Sequence, residues 1–210
     1  MMTKMDDDVG ALLALLAELT IDENTIVMLS SDNGPHLEGG HRPKFWNSNG
    51  PFQGHKRSLY DGGIRVPMVA RWPGQIAEGS VTSHISAHWD LFPTICELAH
   101  LPQPKNIDGI SMVATLTGGT DQQEHEYLYW EFYEAGGKRA LRMGKWKAVR
   151  NNLRDQPDAP MELYEITTDL EERNDVAQAN PAVVARARRY FQQAHRPDPR
   201  WRYGGRRKQK

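Results

Sequence analysis

Apolar residues recur along the chain with two different periods, on either side of one long stretch that has neither. Val9, Leu12, Leu13, Leu16 and Leu19 fall at spacings of three and four, which predicts an amphipathic helix over residues 6–19. Its opening, Asp6-Asp7-Asp8, suits the positive end of a helix dipole and is unlike the apolar core of a signal peptide. After the polar turn Asp22-Glu23-Asn24, the run Ile26-Val27-Met28-Leu29 is apolar without alternation, which predicts a strand buried on both faces, as in a parallel sheet. Residues 66–71 predict a further strand with Pro67 at its start or at an edge. Residues 90–101 predict a second helix, capped by Asp90, with Pro93 in the first turn and Phe92, Ile95, Cys96 and Ala99 along one side.

Beyond Gly118-Gly119 the texture changes to short strands at close spacing: an aromatic one over 127–133, a hairpin from 139–142 and 145–149 around Met143-Gly144, and another over 161–166. Asn180-Pro181 then opens a helix in which Val184, Ala187, Phe191 and Ala194 share a face. The fold class expected is therefore α/β: a partial parallel or mixed sheet flanked by helices over 1–119, a small antiparallel sheet with one helix over 120–196, and a basic tail over 197–210. The aromatic strand, with Tyr129, Trp130, Phe132 and Tyr133, reads as alternating burial rather than as a sugar-stacking surface.

Candidate chemistry lies in residues 30–65, where glycine, asparagine, histidine, proline and charge replace any apolar period. Such long connections in compact domains are usually functional or disordered, and Phe45, Trp46, Phe52 and Tyr60 argue against disorder. This one begins where a predicted strand ends, the place at which open α/β sheets put their ligands. Ser31-Asp32-Asn33-Gly34 offers a carboxylate and an amide oxygen, hard donors suited to Ca²⁺ or Mg²⁺, although Ca²⁺ takes ~6–8 oxygens and the rest must come from elsewhere. Lys56, in Gly54-His55-Lys56-Arg57-Ser58, is a point charge suited to an oxyanion. His36 and His55 are candidate substrate contacts, and His41 has no assigned role.

Composition narrows the field. With 26 basic against 27 acidic residues, net charge −1, no global field recruits nucleic acid or a membrane surface. The single cysteine, Cys96, excludes an internal disulfide framework and reads as a core residue within its helix.

Taken in order, Ser31-Asp32-Asn33-Gly34-Pro35-His36, Gly39-Gly40, and Lys56 within the run from Gly54 to Pro67 resemble the second half of a sulfatase, a family of the alkaline-phosphatase superfamily. Met5-Asp6-Asp7-Asp8-Val9-Gly10, Trp89-Asp90-Leu91-Phe92-Pro93-Thr94, Asp108-Gly109-Ile110-Ser111 and Glu162-Leu163-Tyr164-Glu165 are similar to neighbouring markers of that family, so the resemblance reaches to about Ala194. It implies hydrolysis of sulfate esters, with Asp32 and Asn33 among the Ca²⁺ ligands and Lys56 holding a sulfate oxygen. It also implies a formylglycine nucleophile made in a Cys-or-Ser-x-Pro-or-Ala-x-Arg motif, which this sequence does not contain. The expected substrate is a sulfated small molecule or carbohydrate, and the expected status is that of a C-terminal part without turnover of its own. A phosphodiesterase or phosphonate-ester hydrolase of the same superfamily, or a non-catalytic module binding carbohydrate or protein, are the alternative readings. A partial sheet would also expose an edge for self-association.

Overall fold

The computed structural model describes residues 2–200; of the basic tail read from the sequence, residues 201–210 lie outside the described part. The chain forms two compact units, one of residues 2–30 with 67–124 and the other of residues 31–66 with 125–200.

In the first unit, α1 (Met2–Glu18) is followed by β1 (Val27–Ser30), β2 (Met68–Arg71), α4 (Leu91–Leu98) and α5 (Val113–Thr117). The acidic triplet lies a turn inside α1 because the helix begins at Met2. No residue of α1 is fully buried: of the face that predicted the helix, Val9, Leu13 and Leu16 are half-buried and Leu12 is exposed, as is Leu19 just beyond its end. The expectation of a doubly buried, parallel strand meets a different arrangement. β1 pairs antiparallel with β2, in the register Val27 to Arg71 and Ser30 to Met68, and its second half is exposed. An unbroken apolar run specifies burial capacity, not the direction of its partner, and this two-stranded sheet has no covering layer over Leu29 and Val69. A bidentate ion pair from Arg71 to Asp22, at 2.6 and 2.8 Å, fixes the far end of the ladder.

Asp90 is fully buried in the 3₁₀ turn before α4. Its carboxylate accepts the backbone N–H groups of Ala87 (2.7 Å) and Ile110 (2.9 Å), so it ties residue 110 to the helix instead of capping α4 itself. Thr94 continues the tie by donating to the Asp90 carbonyl and accepting from Met112 N–H. Cys96 is a free thiol buried in α4, as its neighbours predicted, whereas Phe92 and Ile95 are exposed.

The second unit is built on a four-stranded antiparallel meander, β3 (Leu128–Phe132), β4 (Lys138–Met143), β5 (Trp146–Arg150) and β6 (Glu162–Glu165). Gly144, at φ +55°, permits the tight β4–β5 hairpin in which Met143 faces Trp146. Alternation along these strands sends residues to two opposed cores. Leu141, Met143, Ala148 and Leu163 pack with Ala187 and Phe191 of α6 (Pro181–Ala194). On the other face Ala140, Val149, Tyr164 and Ile166 pack against Leu59, with Tyr60 and Ile64 beside it. The aromatic strand divides the same way, Tyr129 toward α6 and Trp130 and Phe132 toward Leu59, which accounts for its composition by packing. The loop 31–66, with the short helices α2 (Pro43–Trp46) and α3 (Asp61–Ile64), is thus packed on the sheet by its second half.

Candidate functional site

Three glycines shape this loop. A Cβ on Gly34 would stand 1.9 Å from the Gly62 carbonyl oxygen, and one on Gly63 would stand 2.2 Å from that of Ser58. Only bare backbone permits such approach, and the chain uses it to close hydrogen bonds across the loop. Gly34 N–H donates to Gly63 C=O at 3.0 Å, and Lys56 N–H donates to Pro35 C=O at 2.8 Å. Gly62 N–H donates to Gln53 C=O at 2.7 Å. The turn carrying Asp32 and Asn33 and the segment carrying Lys56 are therefore stitched together through their main chains.

The side chains on this scaffold can be placed individually. Asp32 is exposed, and among the described residues its carboxylate makes no hydrogen bond or ion pair. Asn33 is half-buried, and its Nδ2 donates to Gly34 C=O at 2.8 Å, which fixes the amide and leaves Oδ1 as the oxygen available to a ligand. Lys56 Nζ is 3.5 Å from a Glu38 carboxylate oxygen, and Arg57 Nη1 is 2.6 Å from the other. The Arg57 guanidinium, with Lys56 behind it, holds the Glu38 carboxyl below the usual carboxylate range. These pairs are solvent-exposed and correspondingly weak, so an incoming oxyanion can displace them. His36 Nδ1 accepts the Glu38 N–H at 3.0 Å, and its ring lies 5.5 Å from that of His41. His55 Nδ1 is instead turned to the Lys56 carbonyl at 2.9 Å. The hard oxygen donors Asp32 and Asn33 fit a Ca²⁺ or Mg²⁺ ion in kind. Among the described residues no group of three or more His, Cys, Asp and Glu is gathered as a metal cluster.

Two of the residues that anchor this loop, Lys147 and Glu172, were not singled out by sequence reasoning. Lys147, fully buried in β5, places its Nζ 2.5 Å from Asp61 Oδ1 and 3.3 Å from Glu172 Oε1. Glu172 closes the triad by accepting Asp61 N–H at 2.6 Å. Burial pushes the Glu172 carboxyl up; the Asp61 carboxyl, against the cost of its own burial, is pulled down by Lys147. A second tie joins Tyr60 to β6: its hydroxyl donates to Glu162 at 2.5 Å and accepts from Asn151. One signal for Lys147 was present in the sequence, a lysine whose strand neighbours Trp146, Ala148 and Val149 are all apolar.

Comparison with known proteins places this architecture. A family profile described as Sulfatase matches residues 1–101. The chain is 40% identical over 130 residues to the steryl-sulfatase of Rattus norvegicus, covering 60% of this chain and 22% of that protein. It is 37% identical over 147 residues to the N-acetylgalactosamine-6-sulfatase of Rattus norvegicus, covering 69% and 27%. A solved structure of Ps i-CgsB in complex with k-i-k-neocarrahexaose superimposes with a TM-score of 0.79 at 29% identity, covering 94% of this chain and 43% of that one. The fold is the α/β fold of the alkaline-phosphatase-like enzymes. The chain is similar to sulfatases over part of its length, and the Sulfatase profile matches its first 101 residues. It spans about a quarter of the curated relatives it matches.

Proposed function

We propose that residues 31–66 form one wall of a sulfate-ester-hydrolysing site. Lys56 holds a sulfate oxygen and balances the negative charge that develops on it, while Asp32 and Asn33 supply two oxygens to a Ca²⁺ ion, or to Mg²⁺ in its place. A bound cation there would polarise the sulfate. His36 and His55 flank this wall as substrate contacts. The nucleophile would be a formylglycine by sulfatase chemistry, and the motif that yields one does not occur in this sequence, so the chain alone is expected to bind rather than turn over. Sulfated carbohydrate is the favoured substrate class, because one relative is named for a sulfated amino sugar and one structural neighbour holds a neocarrahexaose.

The observation that carries this reading is the main-chain stitching of the two segments, Gly34 to Gly63 and Pro35 to Lys56. A ¹⁵N-resolved NMR titration tests it. Ca²⁺ is expected to shift the amides of Asp32 and Asn33, and 4-nitrophenyl sulfate that of Lys56, with Asp32→Asn abolishing the first response and Lys56→Ala the second. Responses confined to other residues, or steady release of 4-nitrophenol by this chain, would overturn the proposal.

A further inference from the structure

A second site lies on the other face of the four-stranded sheet. Arg139 of β4 and Arg150 of β5 are direct cross-strand partners, and alternation points both to the face that carries α6. Like charges placed directly opposite in a sheet destabilise it, so this pair needs a reason. Arg188 of α6 is the third guanidinium bordering the same cavity of about 630 Å³, which His195, Gln192 and the buried ring of Phe191 also line. That volume is within the ~300–1,000 Å³ of ordinary ligand sites.

The cationic groups are held in place before any ligand arrives. Arg139 Nε is 3.0 Å from Glu131, whose carboxylate also meets His195 Nδ1 at 2.6 Å and accepts the Tyr133 hydroxyl at 2.5 Å. Arg150 is oriented by carbonyls, donating to Pro157 at 2.7 Å and to Ala159 at 3.2 and 3.3 Å. Arg188 is exposed, with no hydrogen bond or ion pair among the described residues. Among the described residues lining the cavity, three guanidiniums stand with one carboxylate, that of the exposed Asp158. Planar guanidinium forks match tetrahedral oxyanions.

We propose that this cavity binds a sulfate-type tetrahedral oxyanion, free or carried on a saccharide, at a site separate from the Lys56 loop, which packs on the opposite face of the sheet. The test follows arginine Nε–Hε signals of the full chain during titration with sodium sulfate and with N-acetylglucosamine-6-sulfate, each against sodium chloride at equal ionic strength. Saturable shifts at Arg139 and Arg150 are expected with at least one of the two, and whichever saturates identifies the source. Arg188→Ala, an exposed helical change that alanine tolerates, is expected to weaken binding about tenfold, as loss of one charge-assisted contact would. Lys56→Ala should leave it unchanged, which separates this site from the function proposed above. Arg139→Gln provides a second variant, its folding checked by retained sheet amide shifts. Shifts that grow linearly and equally with chloride, or saturable binding indifferent to both arginine variants, would overturn the proposal.

Discussion

Lys147→Met isolates the anchor of the candidate site. Methionine fills the space of the lysine stem, so the change removes an ammonium without opening a large cavity. What remains is Asp61, 5% exposed, and Glu172, 1% exposed, with their shared counter-charge gone. Removing one partner from a buried ionic group costs ~3–5 kcal/mol, and that range applies here because neither carboxylate can reach water. The loss depends on pH with a definite sign. Without Lys147 the Glu172 carboxyl, already pushed up by burial, loses the charge that opposes that shift, while Asp61 keeps Arg65 at 3.5 Å, so through Glu172 the folded variant binds a proton that the unfolded chain does not. Its stability therefore rises as pH falls through that window. In the native chain Asp61 has the opposite sign, since its lowered pKa gives stability that is present above the unfolded value and lost as pH falls through the folded one. The gap between native and variant must narrow on acidification. Urea unfolding, read from the β4 and β5 amides at pH 7.5 and pH 5.5, measures it. A loss below ~1 kcal/mol at pH 7.5, or one equal at both pH values, would show that the triad is not the uncompensated buried system described. Adding Asp61→Asn to Lys147→Met should recover part of the loss, because a neutral amide replaces a stranded charge.

Gly34→Ala drives a Cβ into the Gly62 carbonyl and should cost ~1–3 kcal/mol by overpacking, with amide shifts at both Asn33 and Lys56 that report the broken stitch. Asp90→Ala strands the N–H groups of Ala87 and Ile110, worth ~1–3 kcal/mol for each left buried, and should speed labelling of Cys96 by a thiol reagent. In native wild-type chain Glu172 is expected to titrate above its ordinary value, seen in its carboxyl ¹³C shift, and Lys147→Met should raise it further. The exposed apolar side chains around α1 and the β1–β2 sheet, with Leu12, Leu19 and Val69 more than half exposed, are expected to drive concentration-dependent association. Sedimentation velocity checks this, and a single concentration-independent monomer boundary would refute it.

Much of the local structure was written in the residue pattern. The threefold and fourfold leucine spacing made α1, Pro181 opened α6, and alternation made the meander, because short-range periodicity and backbone restriction act within a few residues. The order Ser31-Asp32-Asn33-Gly34 and Lys56 marks the candidate wall in the sequence itself, since glycine-rich polar loops interrupt periodicity wherever they occur. The direction of β1 was not legible, because an apolar run carries no information on which strand will pair with it. Nor were the residues that hold the wall in place. Lys147 lies 86 positions from Asp61, and Glu172 lies 111 from it. A charge becomes an anchor or a ligand according to the dielectric around it and the charges beside it. Both are set by chain packing from afar, so Arg139 beside Arg150, and Lys147 between two acids, acquired meaning only when the strands paired.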